Sequence, residues 1–200
     1  MNKHIQSADE LQESSKRMLA GTFLLEILGK LGKVTQTGSS TMGLMVYPDI
    51  DFAIQTDKPI FQDAIKLTQV FFTQLNVTAL KLADFSGDKN ESASYYVGIE
   101  FPFDGKVWHI DVTIGKQSPI ITNPPELAIW LKNMTMDQRV ILLKLKKELY
   151  DAKRYIGSKS QPPYTFRSSH LYEAVLNGGA NTVQEAEEYF KLKRLKYDPN

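Results

Sequence analysis

The chain has 200 residues, 42% apolar content and a net charge of +1. It is long enough to bury a sizeable core, as one domain or as a small catalytic unit with a helical appendage. The absence of cysteine excludes disulfides and thiolate metal sites. With no apolar stretch long enough to span a bilayer and no signal-peptide core, we expect a soluble cytoplasmic protein without a membrane partner. The near-neutral charge argues against a wholesale nucleic-acid binder, although local basic clusters stay open.

Helical and strand patterns alternate over residues 1–120. A capping box at Ser7–Glu10 predicts the start of a helix whose apolar spacing continues to about Leu31. A brief helix is predicted over residues 40–45 and a longer one from Pro59. Strands are predicted over residues 34–37, 47–55, 77–85, 94–101 and 106–114, and Asp104-Gly105 signals a tight hairpin turn between the last two.

From residue 121 onward the pattern is helical. Asn123-Pro124-Pro125-Glu126 predicts a helix start, and a capping box at Thr135–Gln138 begins a long amphipathic helix that continues through Leu149. Two further helices are predicted over residues 168–176 and from Thr182, whose own capping box marks the second start. The sequence therefore predicts a mixed α/β domain over residues 1–120 and a helical domain over 121–200.

The segment from Gly38 to Phe52 carries the strongest chemical signal. In a strand, Asp49 and Asp51 project from the same face, because alternate side chains share a face. Two such carboxylates repel each other unless a cation lies between them, which indicates a divalent metal. The upstream Gly38-Ser39 turn is a backbone that can approach phosphate oxygens closely. Together the two elements predict chemistry on a nucleoside triphosphate.

A third carboxylate comes from the predicted strand over residues 106–114. There Trp108 and Ile110 belong to an apolar face, and His109 and Asp111 lie on the opposite face. If this strand lies beside the one that carries Asp49 and Asp51, three acids converge on a site suited to Mg²⁺. The alternatives are a solvated sheet edge for the acids, and for His109 a partly exposed sheet residue without a role.

The three motifs in this order resemble those of the nucleotidyltransferase superfamily typified by DNA polymerase β, including its small bacterial and archaeal members. Gly38-Ser39, Asp49-Ile50-Asp51 and Asp111 match its glycine-serine, acid-hydrophobic-acid and third-acid elements. The resemblance extends from about Val34 to Ile114. It implies an α/β (α+β) nucleotidyltransferase fold, in which a mixed β-sheet flanked by helices is followed by a C-terminal helical bundle.

The resemblance also implies roles for the matching residues. Gly38 and Ser39 would contact the β- and γ-phosphates, Asp49 and Asp51 would bind two Mg²⁺ ions (or Mn²⁺), and Asp111 would bind the catalytic metal. Asp111 is also a candidate to accept the proton of the attacking hydroxyl. In-line attack on the α-phosphorus would transfer a nucleoside monophosphate and release pyrophosphate.

A phosphate-binding lysine is expected from the helical part, because members of the superfamily commonly supply one there. Lys144 on the long helix is our choice. The alternatives lie on or after the same helix: Arg139, Lys146, Lys147, Lys153, Arg154 and Tyr155.

The sequence leaves the acceptor open. Superfamily members modify small molecules such as antibiotics, protein hydroxyls, or tRNA and other RNA 3′ ends, and the core motifs do not distinguish among them. A different class of function is a non-catalytic module that binds nucleotide, which the presence of all three acids disfavours. Structural Ca²⁺ binding is also disfavoured, because the spacing lacks a dense loop of oxygen ligands.

Overall fold

The computed structural model describes residues 2–87, 95–116, 125–155 and 167–197, without the side chains of 125–128 and 194–197. The chain divides into two compact units. One comprises Asp9–Thr122, and the other comprises Met1–Ala8 together with Asn123–Asn200. Within the described part of the chain, no helix is long and apolar enough to cross a bilayer.

The unit Asp9–Thr122 is built on a mixed sheet. Its described strands number five and lie in the order β1-β2-β5-β4-β3. The neighbours β2 and β5 are parallel, and the other neighbouring pairs are antiparallel. The strands are β1 (Lys33–Thr37), β2 (Asp49–Gln55), β3 (Ala79–Asp84), β4 (Tyr95–Phe103) and β5 (Lys106–Gly115). The predicted mixed α/β architecture is therefore confirmed.

Three helices cover one face of this sheet: α1 (Lys3–Gly21), of which residues from Asp9 onward belong to this unit, α2 (Leu24–Gly29) and α3 (Phe61–Gln74). Their apolar side chains join those of the strands in one buried cluster, which includes Met18, Leu28, Phe52, Phe71, Trp108 and Ile110. The alternation predicted for β5 is confirmed, because its core face is buried and its other face is partly exposed. Asp49, Asp51, His109 and Asp111 consequently lie on the face that is turned away from these helices.

The start and the length of the first helix were predicted wrongly. The helix α1 begins at Lys3, so Ser7 lies inside it rather than at its N-cap. Asn2 takes the capping position, since its side-chain oxygen accepts a hydrogen bond from the backbone N–H of His4 at 2.9 Å. The helix also ends at Gly21 instead of continuing to Leu31, and α2 starts separately at Leu24. Glycine has low helix propensity, which favours an end at this point.

The predicted hairpin between β4 and β5 is confirmed. Asp104 and Gly105 both have positive φ angles, 52° and 71°, as a two-residue turn of this kind requires. The turn pairs Phe103 with Lys106 and so sets the register of both strands. Arg17 on α1 binds the Asp104 carboxylate at 2.6 Å, which ties the turn to the helical layer.

The described part of the second unit is helical. Its helices are α4 (Pro125–Lys132), α5 (Met136–Asp151), α6 (Ser168–Leu176) and α7 (Val183–Tyr197). The capping box at Thr135 and Gln138 is present as predicted. Between α6 and α7, Lys193 forms an ion pair with Glu173, and Tyr189 donates a hydrogen bond to the same carboxylate at 3.2 Å.

Candidate active site on the open sheet face

The register of β2 and β5 brings the predicted acids together. The strands run parallel, with Asp51 directly opposite Asp111 and Asp49 opposite His109. Neighbouring strands lie about 4.8 Å apart, so side chains at opposed positions on the same face are close neighbours. The expectation that these two strands lie side by side is confirmed. The three carboxylates project from the face opposite the buried cluster.

Gly38 lies directly against the Asp51 carboxylate. Its φ angle is +69°, a conformation that side chains rarely adopt, and a Cβ placed on it would lie 1.8 Å from Oδ2 of Asp51. Only glycine fits both the backbone angle and the space. The turn that follows β1 therefore brings its backbone into contact with the acidic face.

The turn after Gly38 is a single 3₁₀ turn over Ser39–Thr41. The brief helix predicted over residues 40–45 is wrong in extent, because Gly43 adopts a positive φ of 65° that a helix cannot continue through. The turn is supported from α1, where Gln12 donates a hydrogen bond to the Ser40 carbonyl at 2.7 Å. The Ser40 hydroxyl donates to the Thr37 carbonyl at 3.2 Å, so this second serine stabilises the turn itself.

Two residues of β4 complete the site and were missed in the sequence. The Tyr96 hydroxyl donates a hydrogen bond to Oδ1 of Asp111 at 2.7 Å. Gly98 lies opposite Asp111 on the neighbouring strand, and a Cβ there would lie 2.3 Å from the Tyr96 hydroxyl oxygen. The hairpin turn could have predicted this placement. A two-residue loop pairs Phe103 with Lys106, and the antiparallel register that follows from this pair sets Gly98 opposite Asp111.

All three acids affect the pKa of Tyr96. Burial raises its pKa well above the usual value, and the hydrogen bond to Asp111 raises it further. The negative charges of Asp111, Asp49 and Asp51 act in the same direction, because a phenolate would add one more anion beside them. Tyr96 is therefore a protonated hydrogen-bond donor, and the carboxylates form one electronegative group around it.

His109 lies beside this group, on the same face of β5 as Asp111. Its Nδ1 is 3.4 Å from Oε1 of Glu100, and both side chains are 41% exposed. The Tyr47 ring packs edge-on against the imidazole, with ring centroids 6.2 Å apart. The histidine is therefore a neighbour of the acids, at the position opposite Asp49.

The donor set suits a hard divalent cation. All three acids supply carboxylate oxygens, the ligands that Mg²⁺ prefers, and two of them are directly opposed across parallel strands. Among the described residues, however, no three acidic or histidine side chains are already arranged as a closed metal-binding cluster. The strands thus position the donors, and their side chains would have to close around an ion.

The lysine candidates on α5 have different surroundings. Lys144 is exposed, whereas Lys146 is 1% exposed. Lys146 donates a hydrogen bond to the Tyr172 hydroxyl at 3.1 Å, and its Nζ lies over the rings of Tyr155 and Tyr172, at 5.3 and 5.4 Å. Lys146 is thus buried and connects α5 to α6. The role predicted for Lys144 stays a prediction.

No protein-family model and no curated protein matches the sequence. Among solved structures, the chain is similar to the non-canonical poly(A) polymerase complex GLD-2–GLD-3, with a TM-score of 0.54 and 14% identity over all of this chain and 64% of that chain. A GLD-2/RNP-8 complex matches with a TM-score of 0.47 and 19% identity, over 88% of this chain and 59% of that chain. The chain thus spans less than two thirds of either matched chain. The first similarity, together with the five-stranded mixed sheet flanked by helices, shows a nucleotidyltransferase fold.

Proposed function

We propose that the protein is a metal-dependent nucleotidyltransferase that transfers a nucleoside monophosphate from a nucleoside triphosphate to a hydroxyl acceptor. The observation that carries this proposal is the in-register pairing of Asp51 with Asp111 on parallel strands, with Asp49 on the same face and Gly38 against Asp51. The nucleotidyltransferase fold supports it. Catalysis of this kind depends on positioning and charge stabilisation, which such a face can supply.

In this proposal the three acids hold the metal. Asp49, Asp51 and Asp111 would bind Mg²⁺, with two ions expected, because their oxygens match its ligand preference. When bound, the metal would neutralise developing negative charge on the phosphates. Asp111 would accept the proton from the acceptor hydroxyl as the oxygen attacks the α-phosphorus. The bond from the α-phosphorus to the bridging oxygen would break, and pyrophosphate would leave.

The turn after β1 would bind the donor phosphates. The backbone N–H groups that follow Gly38 and the hydroxyl of Ser39 are donors of the type that contact β- and γ-phosphate oxygens. The contact of Gly38 with Asp51 supports this assignment, since it places the turn beside the metal ligands. Lys144 is also proposed as the phosphate-binding lysine of this function.

The acceptor remains to be chosen among a small molecule, a protein hydroxyl and an RNA 3′ end. The polymerase in the matching GLD-2–GLD-3 structure is named for synthesis of poly(A), so an RNA 3′ hydroxyl is the first acceptor to test. RNA binding would show a steep dependence on salt concentration, because phosphate contacts release counterions.

The test is calorimetric titration of ATP, CTP, GTP and UTP, with and without Mg²⁺. We expect metal-dependent binding of at least one nucleotide by the wild type, and loss of that binding in Asp49→Ala/Asp51→Ala. Asp57→Ala is the control for this double variant, because it removes an exposed carboxylate from the same segment of chain. Absence of binding by folded wild-type protein, or equal binding by the double variant, would contradict the proposal. The nucleotide that binds is then the donor in a radiolabel-transfer screen of acceptors.

A further inference from the structure

We propose that Tyr96 is a positioning residue for Asp111, whose carboxylate it holds through Oδ1 so that Oδ2 stays directed to the metal and the acceptor hydroxyl. The inference rests on the proposed function and deepens it, because it assigns a role to a residue outside the three matching motifs. Tyr96 itself would contact neither the nucleotide nor the ion.

The hydrogen bond is the first support for this role. The Tyr96 hydroxyl donates to Oδ1 of Asp111 at 2.7 Å, within the usual range for a hydroxyl that donates to a carboxylate. An aspartate carboxylate turns about two side-chain bonds, and the second torsion, χ2, has a broad distribution, so without a partner it samples several orientations. A donor on a neighbouring strand fixes one oxygen and thereby the direction of the other.

The clearance around the hydroxyl is the second support. Gly98 faces Asp111 in the β4–β5 register, and the absence of a side chain at Gly98 is what lets the Tyr96 hydroxyl reach over the strand. A Cβ at this position would lie 2.3 Å from the hydroxyl oxygen, 2.9 Å from the ring carbon that carries it and 3.2 Å from Oδ1 of Asp111. Gly98 therefore leaves the space in which the Tyr96 hydroxyl reaches Asp111.

The Tyr96 ring also contacts the neighbouring strand β3. Lys81 on β3 is paired with Gly98 in the sheet, and its Nζ lies over the Tyr96 ring at 5.4 Å from the centroid. A cation over an aromatic face is an attractive contact. Tyr96 thus has contacts with both a residue of β3 and Asp111 of β5.

The direction of the hydrogen bond follows from the two groups that form it. A carboxylate oxygen can only accept, so the proton shared between Tyr96 and Asp111 belongs to the Tyr96 hydroxyl. Tyr96 therefore acts on Asp111 as a donor.

Metal-binding carboxylates are commonly held by such outer contacts, whose removal costs about 10- to 100-fold in metal affinity or activity. We therefore expect Tyr96→Phe to weaken Mn²⁺ binding about 10-fold or more in the absence of nucleotide, as measured from the free Mn²⁺ signal in electron paramagnetic resonance titrations. Tyr95→Phe is the matched control. It removes a hydroxyl from the adjacent residue, which belongs to the buried cluster on the other face, and should leave Mn²⁺ affinity unchanged.

Asp111→Asn separates this inference from the proposed function. If wild type binds Mn²⁺, Asp111→Asn does not, and Tyr96→Phe binds like wild type, the function stands and the positioning role is overturned. Tighter binding by Tyr96→Phe would also overturn it, because the hydroxyl would then compete with the ion. If Asp111→Asn binds as well as wild type, Asp111 is not a ligand, and the proposed function and this inference both fail.

Gly98→Ala gives a second, independent variant. Its new Cβ would displace the Tyr96 hydroxyl without removing it, so we expect a loss of Mn²⁺ affinity similar to that of Tyr96→Phe. The double variant should be little worse than either single variant, since both remove the same hydrogen bond. Wild-type Mn²⁺ affinity in Gly98→Ala would overturn the inference, because its Cβ displaces the hydroxyl that is proposed to hold Asp111.

Discussion

The two faces of the sheet are made by alternating residues of the same strands, yet they follow different physical requirements. On one face Ile50, Phe52 and Ile110 are buried against the helices, where burial of apolar area stabilises the fold. On the other face Asp49, Asp51 and Asp111 place like charges together, an arrangement that costs stability. The core face thus maintains the fold, whereas the acidic face is explained by the ligand that it would bind.

The largest expected effect is a loss of transfer activity in Asp111→Asn without a loss of stability. Under the proposed function, Asp111→Asn removes a metal ligand that supplies several kcal/mol of charge stabilisation, so transfer should fall on the order of 10³-fold. The free energy of unfolding should stay the same or rise, because one of three mutually repelling charges is lost. Single-turnover transfer of labelled nucleotide and a urea melt measure the two quantities. A loss of activity that tracks a loss of folding would contradict the distinction between the faces.

Ile110, next to Asp111 in the chain, should show the reverse pattern, with a loss of stability and unchanged nucleotide affinity. Ile110 is fully buried, and Ile110→Ala should lower the free energy of unfolding by about 2–5 kcal/mol through lost burial and a new cavity. The fraction that remains folded should retain its nucleotide affinity. Urea unfolding followed by circular dichroism gives the first quantity, and titration of the folded fraction gives the second. An unchanged free energy of unfolding would contradict the assignment of this apolar face as the core.

Gly38 tests the contact between the phosphate turn and the acidic face. Gly38 has φ 69° and ψ −164°, a region that is essentially restricted to glycine, so Gly38→Ala should destabilise the protein by about 1–3 kcal/mol from its backbone conformation. It should also weaken nucleotide binding, because its Cβ would collide with Asp51. Gly29→Ala is the matched control, since a Cβ at Gly29 would meet nothing within 4 Å. Thermal melts and nucleotide titrations of both variants check this, and equal behaviour of the two would count against the site geometry.

The smallest expected effect is a pH dependence of stability that arises from His170 and not from the acidic face. Burial, followed by the charges of Arg167 and Lys193, lowers the pKa of His170 below its usual value of 6.5. The unfolded chain then binds a proton more readily than the folded one, so stability should fall as pH drops below about 6.5. His170→Gln should flatten this slope in urea melts between pH 7 and 5.5. If His109→Gln flattens it instead, the effect belongs to the open sheet face.

Local patterns were sufficient for the elements that carry the motifs. The alternation in β5 identified its buried and open faces, Asp104-Gly105 identified the hairpin, and Thr135 identified the start of α5. Each of these depends on neighbours within a few residues, through the two-residue period of a strand or the unpaired N–H groups of a helix end. The first helix was predicted less well, because the competing cap at Asn2 and the break after Gly21 are weak signals beside a long apolar period.

The sequence by itself therefore determined the mixed α/β class, the faces of the strands and which acids share a face, since periodicity encodes burial. Only the tertiary structure decided that β2 and β5 are parallel neighbours, that Asp51 lies opposite Asp111, and that Tyr96 reaches Asp111 across Gly98. It likewise decided that Lys146 is buried between two tyrosines while Lys144 is exposed. These facts depend on contacts between residues far apart in the chain, and no local period specifies strand order or the reach of a side chain across a neighbouring strand.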